Sequence, residues 1–226
     1  MEQKLFFEDG ISGVIPEVNL NLALEARKKK YNLKAFIVLK QLHGAHGLCI
    51  ESEEQAAGIA PRSYDGDYII TNIKSIAIGV LTADCLPVLV YDPKTESIGV
   101  AHAGWRGSAQ EICIKMLEHM MRNFGVDKES VQIFFGPSAG VCCYEVDTLF
   151  IKNIENFSYS PETLKKNNNK LYFDLALFNK LQLLSFGIHP EQIDTTKNTC
   201  TIENRSFCSY RRDSANATRQ LSFIFL

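Results

Sequence analysis

Three apolar segments between residues 76 and 102 follow one another so closely that they constrain the fold of the whole chain. They span 76–82, 86–91 and 97–102, are rich in Ile and Val, and have Pro, Asp or Asn near their ends, as is typical of β-strands. The connections are too short for the helical crossover that joins parallel neighbours in a sheet. The spacing therefore predicts antiparallel pairing. Similar segments at 34–40, 67–71 and 131–135 predict further strands.

A helix is predicted from Ser108 to Phe124. Ser108 and Glu111 form an S-x-x-E capping box at its start, a pattern that satisfies free amides of the first turn. Apolar residues recur at helical spacing from Ile112 to Phe124. Gly125 follows as a typical C-terminal stop.

A second helix is predicted from Asp174, its N-cap, to Gly187. Just before it, the Lys- and Asn-rich stretch at 165–170 predicts an exposed loop tip. Helices that alternate with clusters of closely spaced strands favour a mixed α/β fold with antiparallel pairing over a pure doubly wound sheet.

The composition predicts one soluble domain over residues 1–226. A net charge of -2 offers neither a basic surface for nucleic acid nor a polybasic patch for anionic lipid. No segment has the apolar length of a membrane span, and the N-terminal residues do not resemble a signal peptide. Seven cysteines in such a chain indicate reduced thiols. We therefore expect a cytoplasmic protein with no nucleic-acid or membrane partner, present as a monomer or homodimer.

Three potential metal ligands each lie at the end of an apolar strand. His43 follows 36–39, Cys85 follows 76–81 and His102 follows 98–101. Two imidazoles and one thiolate suit zinc or copper. A structural zinc site is normally closed by four protein ligands, whereas three ligands leave a position for water or substrate. The trio therefore predicts a catalytic metal site.

Two residues beside these ligands have a predicted role in the chemistry. Asp84 could orient a ligating imidazole or a bound water, or serve only as a turn residue before Pro87. Arg106 lies in a small-residue turn that leads into the predicted helix. Free amides and a guanidinium at such a point favour a phosphate or carboxylate, although a tight turn with an exposed arginine is the alternative.

The segment that begins at Gly136 supplies further candidates. Ser138 and Tyr144 could donate hydrogen bonds to a ligand. The adjacent Cys142 and Cys143 suggest redox chemistry or extra metal ligands, but buried cysteines commonly only pack, and we expect at least one of them to be inert. Arg211, next to a second arginine and a tyrosine, suits an anionic or purine-bearing ligand.

These segments together resemble the laccase-domain family, formerly called multicopper polyphenol oxidases and now described as purine nucleoside phosphorylases. The similarity covers about residues 19 to 215 and depends on these motifs: Gln-Leu-His-Gly at 41–44, Asp67 with Thr71, Thr-Ala-Asp-Cys-Leu-Pro-Val at 82–88, Ala-His-Ala-Gly-Trp-Arg-Gly at 101–107, Gly-Pro at 136–137, Cys-Cys-Tyr-Glu-Val at 142–146, Cys-Thr at 200–201 and Ser-Tyr-Arg-Arg at 209–212.

The resemblance implies a function and a fold. His43, Cys85 and His102 would be zinc-binding catalytic residues, with a purine nucleoside and phosphate as the small-molecule partners. The implied reactions are phosphorolysis of adenosine, inosine and methylthioadenosine, and deamination of adenosine. The implied fold has four layers, with helices outside two mixed sheets, similar to the catalytic domain of cytotoxic necrotizing factor. The stretch at 7–14 lacks an arginine that family members commonly carry there, which favours Arg106 and Arg211 for anion contacts.

Several alternatives remain at the level of sequence. Five histidines are too few for a four-copper oxidase, but copper could occupy the single site, and a single-copper polyphenol oxidase would then result. Zinc lowers the pKa of a bound water, and Asp84 would carry the proton, while Arg106 would neutralise phosphate. The same chemistry would serve a metal-dependent amidase that edits cell-wall precursors. A metal-binding or partner-binding module without turnover is the non-enzymatic alternative.

Overall fold

The computed structural model of the chain describes residues 4–8 and 19–226. Residues 9–14 of the N-terminal stretch compared above lie outside this range. The strands are β1 (Lys4–Phe7), β2 (Ala35–Val38), β3 (Gly47–Ile50), β4 (Tyr68–Thr71), β5 (Ile76–Thr82), β6 (Leu86–Asp92), β7 (Ser97–Ala103), β8 (Gln132–Phe135), β9 (Glu145–Val146), β10 (Leu164–Asn167), β11 (Lys170–Phe173), β12 (Ile193–Asp194) and β13 (Gln220–Phe225). The helices are α1 (Leu20–Tyr31), α2 (Glu53–Ala57), α3 (Trp105–Ala109), α4 (Ile112–Phe124), α5 (Leu175–Ser185) and α6 (Tyr210–Asp213), with 3₁₀ turns at Thr148–Asn153, Ser160–Thr163, Pro190–Gln192 and Ser214–Asn216.

Most of the strands form two mixed sheets. The six-stranded sheet has the order β12-β8-β6-β7-β4-β3, and the four-stranded sheet has the order β1-β13-β5-β2. β6 and β7 pair antiparallel as predicted, with Leu86 opposite Ala103. β5 does not pair with β6, because it lies between β13 and β2 in the other sheet. Residues 83–85 therefore carry the chain from one sheet to the other.

Three apolar clusters separate four layers, which confirms the predicted architecture. The first lies between α1 and the four-stranded sheet, where Leu24 packs with Phe36 and Phe223. The second lies between the two sheets. The third joins the six-stranded sheet to α4 and α5, and includes Met116 and Phe178. The fold is thus mixed α/β, with helices outside two mixed sheets.

The helix predicted at 108–124 is in fact two helices, and the predicted capping box is wrong. Glu111, between α3 and α4, has a left-handed backbone (φ 62°) and makes no capping hydrogen bond through its side chain. Ser108 lies buried inside α3, and its hydroxyl accepts a hydrogen bond from the Asn179 amide at 2.9 Å. The helical apolar pattern begins only at Ile112, so the S-x-x-E pattern lies across a bend.

The other helix boundaries follow the sequence pattern. Gly125 ends α4 in the left-handed conformation (φ 72°), and its N–H donates to the Met121 carbonyl at 3.0 Å. The Asp174 carboxylate accepts the Leu177 N–H at 2.9 Å and caps α5. These predictions are confirmed because each depends on the chemistry of one residue at a helix end.

The predicted loop tip at 165–170 belongs to the β10–β11 hairpin. Asn168 and Asn169 form its turn with φ of 47° and 60°. Asparagine tolerates this left-handed geometry, which two-residue hairpin turns require. Among the described residues, no helix combines the length and the hydropathy needed to cross a lipid bilayer.

Candidate functional site

Strand ends and turns from both sheets bring His43, Cys85 and His102 together. His43 follows β2, Cys85 lies in the turn from β5 to β6, and His102 lies within β7. One ligand atom from each residue lies within 4.8 Å of the others. The two imidazole rings meet nearly edge to face, with 4.8 Å between their centroids. The fold therefore assembles all three predicted ligands.

Two glycines permit this close approach. A Cβ atom at Gly104 would lie 2.9 Å from the sulfur of Cys85, and a Cβ atom at Gly107 would lie 2.6 Å from the Gly44 carbonyl oxygen. Both distances are shorter than an ordinary van der Waals contact. The glycines of the segment at 101–107 thus leave room for the loop that carries His43 and for the Cys85 thiol.

Asp67 connects the two imidazole-bearing segments. Its carboxylate accepts the N–H groups of Leu42 (3.1 Å), His43 (3.0 Å) and Gly44 (2.8 Å). It also lies 2.8 Å from Nδ1 of His102. A carboxylate bound to Nδ1 orients the ring and leaves Nε2 as the nitrogen for a ligand. Asp67 therefore performs the orienting role.

The Asp84 carboxylate accepts its hydrogen bonds from groups other than an imidazole. One oxygen accepts the Thr201 hydroxyl at 2.7 Å, and the other accepts the Arg211 N–H at 2.7 Å. The backbone of Asp84 is left-handed, with φ of 83°, which makes it a turn residue as well. Asp84 thus attaches the turn between the two sheets to the C-terminal part of the chain.

Asp67 is part of a family motif, but nothing in the neighbouring sequence indicated its role. It depends on the antiparallel pairing of β4 with β7, in which Tyr68 lies opposite Ala101. This register places Asp67 beside His102, whose N–H donates to the Asp67 carbonyl at 2.7 Å. Only the pairing of distant strands brings the carboxylate to the imidazole.

The electrostatics of the cluster favour a thiolate beside an imidazolium. Burial raises the pKa of Cys85, but the charge of His102 and hydrogen bonds from His102 and His43 outweigh it and lower the pKa to about 6. Burial lowers the pKa of His102, but the Cys85 thiolate and the Asp67 carboxylate outweigh it and raise the pKa to about 9. The ligand-competent form of the cysteine is therefore present at neutral pH.

The donor set fits zinc or copper. Two imidazoles and a thiolate are borderline and soft ligands. They bind zinc and copper in preference to hard cations such as magnesium. Binding of an ion would displace the proton that His102 holds in its absence. His43 is exposed and Cys85 is half-buried, so an ion and a substrate can reach the cluster from solvent.

The cluster lies in the wall of a cavity of about 510 Å³, a volume in the usual range for small-molecule sites. The predicted residues Asp84, Arg106, Tyr144 and Arg211 also line it. Trp105 and Tyr210 add further aromatic surface. The cavity therefore places metal-ligand candidates, cations and flat rings around one volume.

Two of the cavity arginines lie over aromatic rings. The Arg106 guanidinium is 4.5 Å from the Trp105 ring centroid, and the Arg211 guanidinium is 4.9 Å from that of Tyr144. Arg211 also donates to the Glu145 carbonyl at 2.7 Å. Such contacts hold a guanidinium in place while part of its N–H fork remains available to an anion.

The sequence did not identify Arg62 and Arg219, which also line the cavity. Conversely, the predicted substrate-binding residue Ser138 lies behind the cavity wall. It is buried, its hydroxyl accepts the Asn198 amide at 2.9 Å, and its backbone forms a bridge with Cys200. This pairing of two distant segments directs Ser138 into the interior. Contrary to the prediction, Ser138 is not among the residues that line the cavity.

Comparisons with known proteins show the family of this chain. Residues 15–226 match the family model described as multi-copper polyphenol oxidoreductase laccase. A purine nucleoside phosphorylase from Borreliella burgdorferi is 33% identical over 198 residues, 86% of this chain and 78% of that protein. An adenosine deaminase from an unknown prokaryotic organism is 28% identical over 200 residues, 86% of this chain and 76% of that protein.

A further relative and a solved structure extend the comparison. A purine nucleoside phosphorylase from Mus musculus is 30% identical over 215 residues, and the alignment covers 92% of this chain but 47% of the mouse protein. The crystal structure of the Bacillus licheniformis hypothetical protein YfiH superposes with a TM-score of 0.89 at 25% identity, over 99% of this chain and 92% of that chain. Because the family model matches nearly the whole chain, this protein belongs to the multi-copper polyphenol oxidoreductase laccase family.

Proposed function

We propose that this chain is a zinc-dependent purine nucleoside phosphorylase that acts on adenosine, inosine and methylthioadenosine, and that the same site deaminates adenosine. The observation that carries the proposal is the convergence of His43, Cys85 and His102 on a cavity with arginines and aromatic rings in its wall. The names of the relatives from Borreliella burgdorferi and Mus musculus support phosphorolysis, and that of the prokaryotic adenosine deaminase supports deamination.

The cavity offers a surface for each part of the substrates. A purine is flat and aromatic, and the aromatic side chains of Trp105 and Tyr144 line the cavity. Phosphate is an anion, and the guanidinium groups of Arg106 and Arg211 supply paired N–H donors. We propose that the arginines hold phosphate against the sugar while the base packs on the aromatic wall.

His43, Cys85 and His102 are the residues that would hold the ion, and zinc, when bound, supplies Lewis acidity toward an oxygen nucleophile. Asp67 keeps the His102 ring in its tautomer and orientation. The Cys85 thiolate adds a negative charge, which makes the set a stronger zinc ligand than neutral donors alone.

Asp84 is the proposed proton carrier. Each of its oxygens accepts one hydrogen bond in the structure and retains a second lone pair that can face the cavity. We propose that it takes a proton from the attacking water or dihydrogen phosphate and passes it to the departing ammonia or purine. An Asp84→Asn variant should bind zinc normally but lose roughly 10²–10⁴-fold in turnover. Loss of zinc together with turnover would instead assign Asp84 a purely structural role.

The proposal is tested with chelator-treated protein, with and without added zinc. Each form receives adenosine in the presence and absence of phosphate, and adenine, ribose 1-phosphate and inosine are quantified. The zinc form should yield adenine only with phosphate, and inosine without it. If the zinc form yields neither product, the proposed function is wrong.

Matched variants locate the activity. His43→Ala should abolish both reactions because it removes one ligand from the site. His189→Ala is the control, since this exposed histidine pairs with Glu129 at 3.2 Å and does not line the cavity. Equal loss of activity in the two variants would contradict the assignment of the site.

A four-copper oxidase does not fit the placement of the histidines. His119 lies 3.1 Å from the Tyr68 hydroxyl, and His189 lies beside Glu129, so neither joins the His43 cluster. We propose a cytoplasmic location, because the cysteines are free thiols, as is usual in a reducing compartment. Oxygen uptake with a phenol, measured on the copper-loaded protein, distinguishes the single-copper alternative.

A further inference from the structure

A second cluster of potential ligands lies outside the cavity. It consists of Cys142, Cys143, Cys200 and Glu203, whose ligand atoms all lie within 4.8 Å of one another. The Cys142 thiol donates toward the Glu203 carboxylate at 3.8 Å. All the cysteines are free thiols, so three sulfurs and one carboxylate meet without a covalent bond between them.

We propose that Cys142, Cys143, Cys200 and Glu203 form a closed, structural site for a zinc-type divalent cation, separate from the His43 cluster. The donor count is four, which is the number that structural zinc sites use. Thiolates select zinc and softer ions over magnesium and calcium. None of these residues belongs to the proposed catalytic set.

The backbone is shaped for this approach of sulfurs. A Cβ atom at Gly140 would lie 3.0 Å from Cβ of Cys200 and 3.3 Å from the sulfur of Cys142. The Gly140 N–H donates to the Cys200 sulfur at 3.4 Å. Amides directed at a sulfur stabilise its anionic form, as is common around thiolate-bound metals. A bulkier residue than glycine would separate the two segments.

The ligands join two segments that are distant in the chain. Ser138 bridges Cys200, and the Thr201 N–H donates to the Ser138 carbonyl at 2.9 Å. Cys142 and Glu203 are exposed, whereas Cys143 and Cys200 are half-buried. An ion can therefore enter from solvent, and its ligands would cross-link the loop at 138–143 to the turn at 200–203.

This cross-link would support the cavity from behind. Thr201, next to Cys200, donates to Asp84, and Tyr144, next to Cys143, lines the cavity. The ion would therefore act on catalysis only through the placement of these neighbours. Its role is structural, and its presence can be measured without any substrate.

The experiment uses a background in which His43 and His102 are both changed to Ala, so that the first metal site is lost. Protein purified under reducing conditions is loaded with zinc or with cobalt, and bound metal is counted by elemental analysis. We expect one equivalent, with an intense sulfur-to-cobalt charge-transfer absorption. Adding Cys142→Ser and Cys200→Ser should remove the equivalent and the absorption.

Two further variants make the result specific. Glu203→Gln should retain the thiolate absorption but weaken zinc binding, because one donor loses its charge. Cys49→Ser, a change of another cysteine outside the cluster, should leave the metal content unchanged. Circular dichroism verifies that each variant is folded.

The proposal is overturned if the His43→Ala/His102→Ala protein binds no zinc, or binds it equally with and without Cys142 and Cys200. It is also overturned if intact mass shows a disulfide among the three thiols in the reduced, folded protein. Because the assay counts metal in a protein that lacks two of the three catalytic ligands and uses no substrate, its outcome is independent of whether nucleosides are substrates.

Discussion

At the scale of single residues, Asp67 positions two of the three proposed metal ligands. Its carboxylate binds three backbone amides of the loop that carries His43 and also contacts His102. Burial raises the pKa of this carboxyl, but the hydrogen bonds from His102, Gly44 and Leu42 outweigh it and keep the pKa below its usual range. The group is therefore ionised at neutral pH and fixes two ligands at once.

An Asp67→Asn variant should bind zinc about 10- to 100-fold more weakly, the usual effect of losing a carboxylate that orients a ligating histidine. Competition with a chromophoric chelator measures the affinity. Asp92→Asn is the matched control, because Asp92 is equally buried but binds Thr95 and Lys94 instead. Equal weakening in both variants would show that general destabilisation, not ligand orientation, is responsible.

The lowered pKa of Cys85 predicts the pH dependence of its reactivity. Because only the thiolate is alkylated, chelator-treated protein should react with iodoacetamide at Cys85 with a midpoint near pH 6. Removal of the imidazolium in His102→Ala should move this midpoint upward, toward the ordinary value of about 8.5. Peptide mass spectrometry identifies the labelled residue.

Cys49 is the internal control in the same experiment. Burial and the charge of Glu51 raise its pKa to about 11, so it should stay unlabelled below pH 9. A wild-type midpoint near 8.5 for Cys85 would refute the thiolate–imidazolium pair.

At the scale of elements, the bend at Glu111 is the feature that sequence patterns misrepresented. A non-glycine residue in the left-handed region costs about 1–2 kcal/mol. Glu111→Gly should therefore raise the free energy of unfolding by about 1 kcal/mol, measured by urea denaturation. Lys115→Gly, at an exposed position inside α4, should lower it by about 1 kcal/mol. A loss of stability in Glu111→Gly would mean that its side chain has a stabilising partner.

Sequence patterns located the elements that local chemistry determines. The strands at 76–102 and the ends of α4 and α5 follow from apolar runs, Gly125 and Asp174. β13 was missed because a short, mostly apolar segment such as 220–225 does not by itself distinguish a strand from a buried helix segment. The passage of the chain between sheets at 83–85 depends on which partner β5 finds, and β13 supplies that partner from far along the chain.

The same distinction applies to the site. The three ligand residues were predicted because each follows an apolar strand and has a suitable donor atom. Asp67, Arg62 and Arg219 were not, because their positions depend on strand register and loop packing. Ser138 was misplaced for the same reason, since its bridge to Cys200 has no signature in either segment.

At the scale of the whole molecule, stability depends on three stacked cores. Phe223, fully buried in β13, packs against Phe6 and Phe36 at 4.6 and 5.0 Å between ring centroids. Phe223→Ala should lower the free energy of unfolding by about 3–5 kcal/mol. Leu22→Ala, at a side chain that is 72% exposed, should change it by less than about 0.5 kcal/mol. Similar effects of the two variants would contradict the assignment of β13 to the core.

The three residues of the His43 cluster come from two different sheets, and this affects the stability of the whole fold. His43 and Cys85 follow strands of the four-stranded sheet, whereas His102 belongs to the six-stranded sheet. A bound ion would thus cross-link the two sheets. Since only the folded chain brings these three ligands together, zinc should raise the unfolding temperature of the protein, and a chelator should lower it.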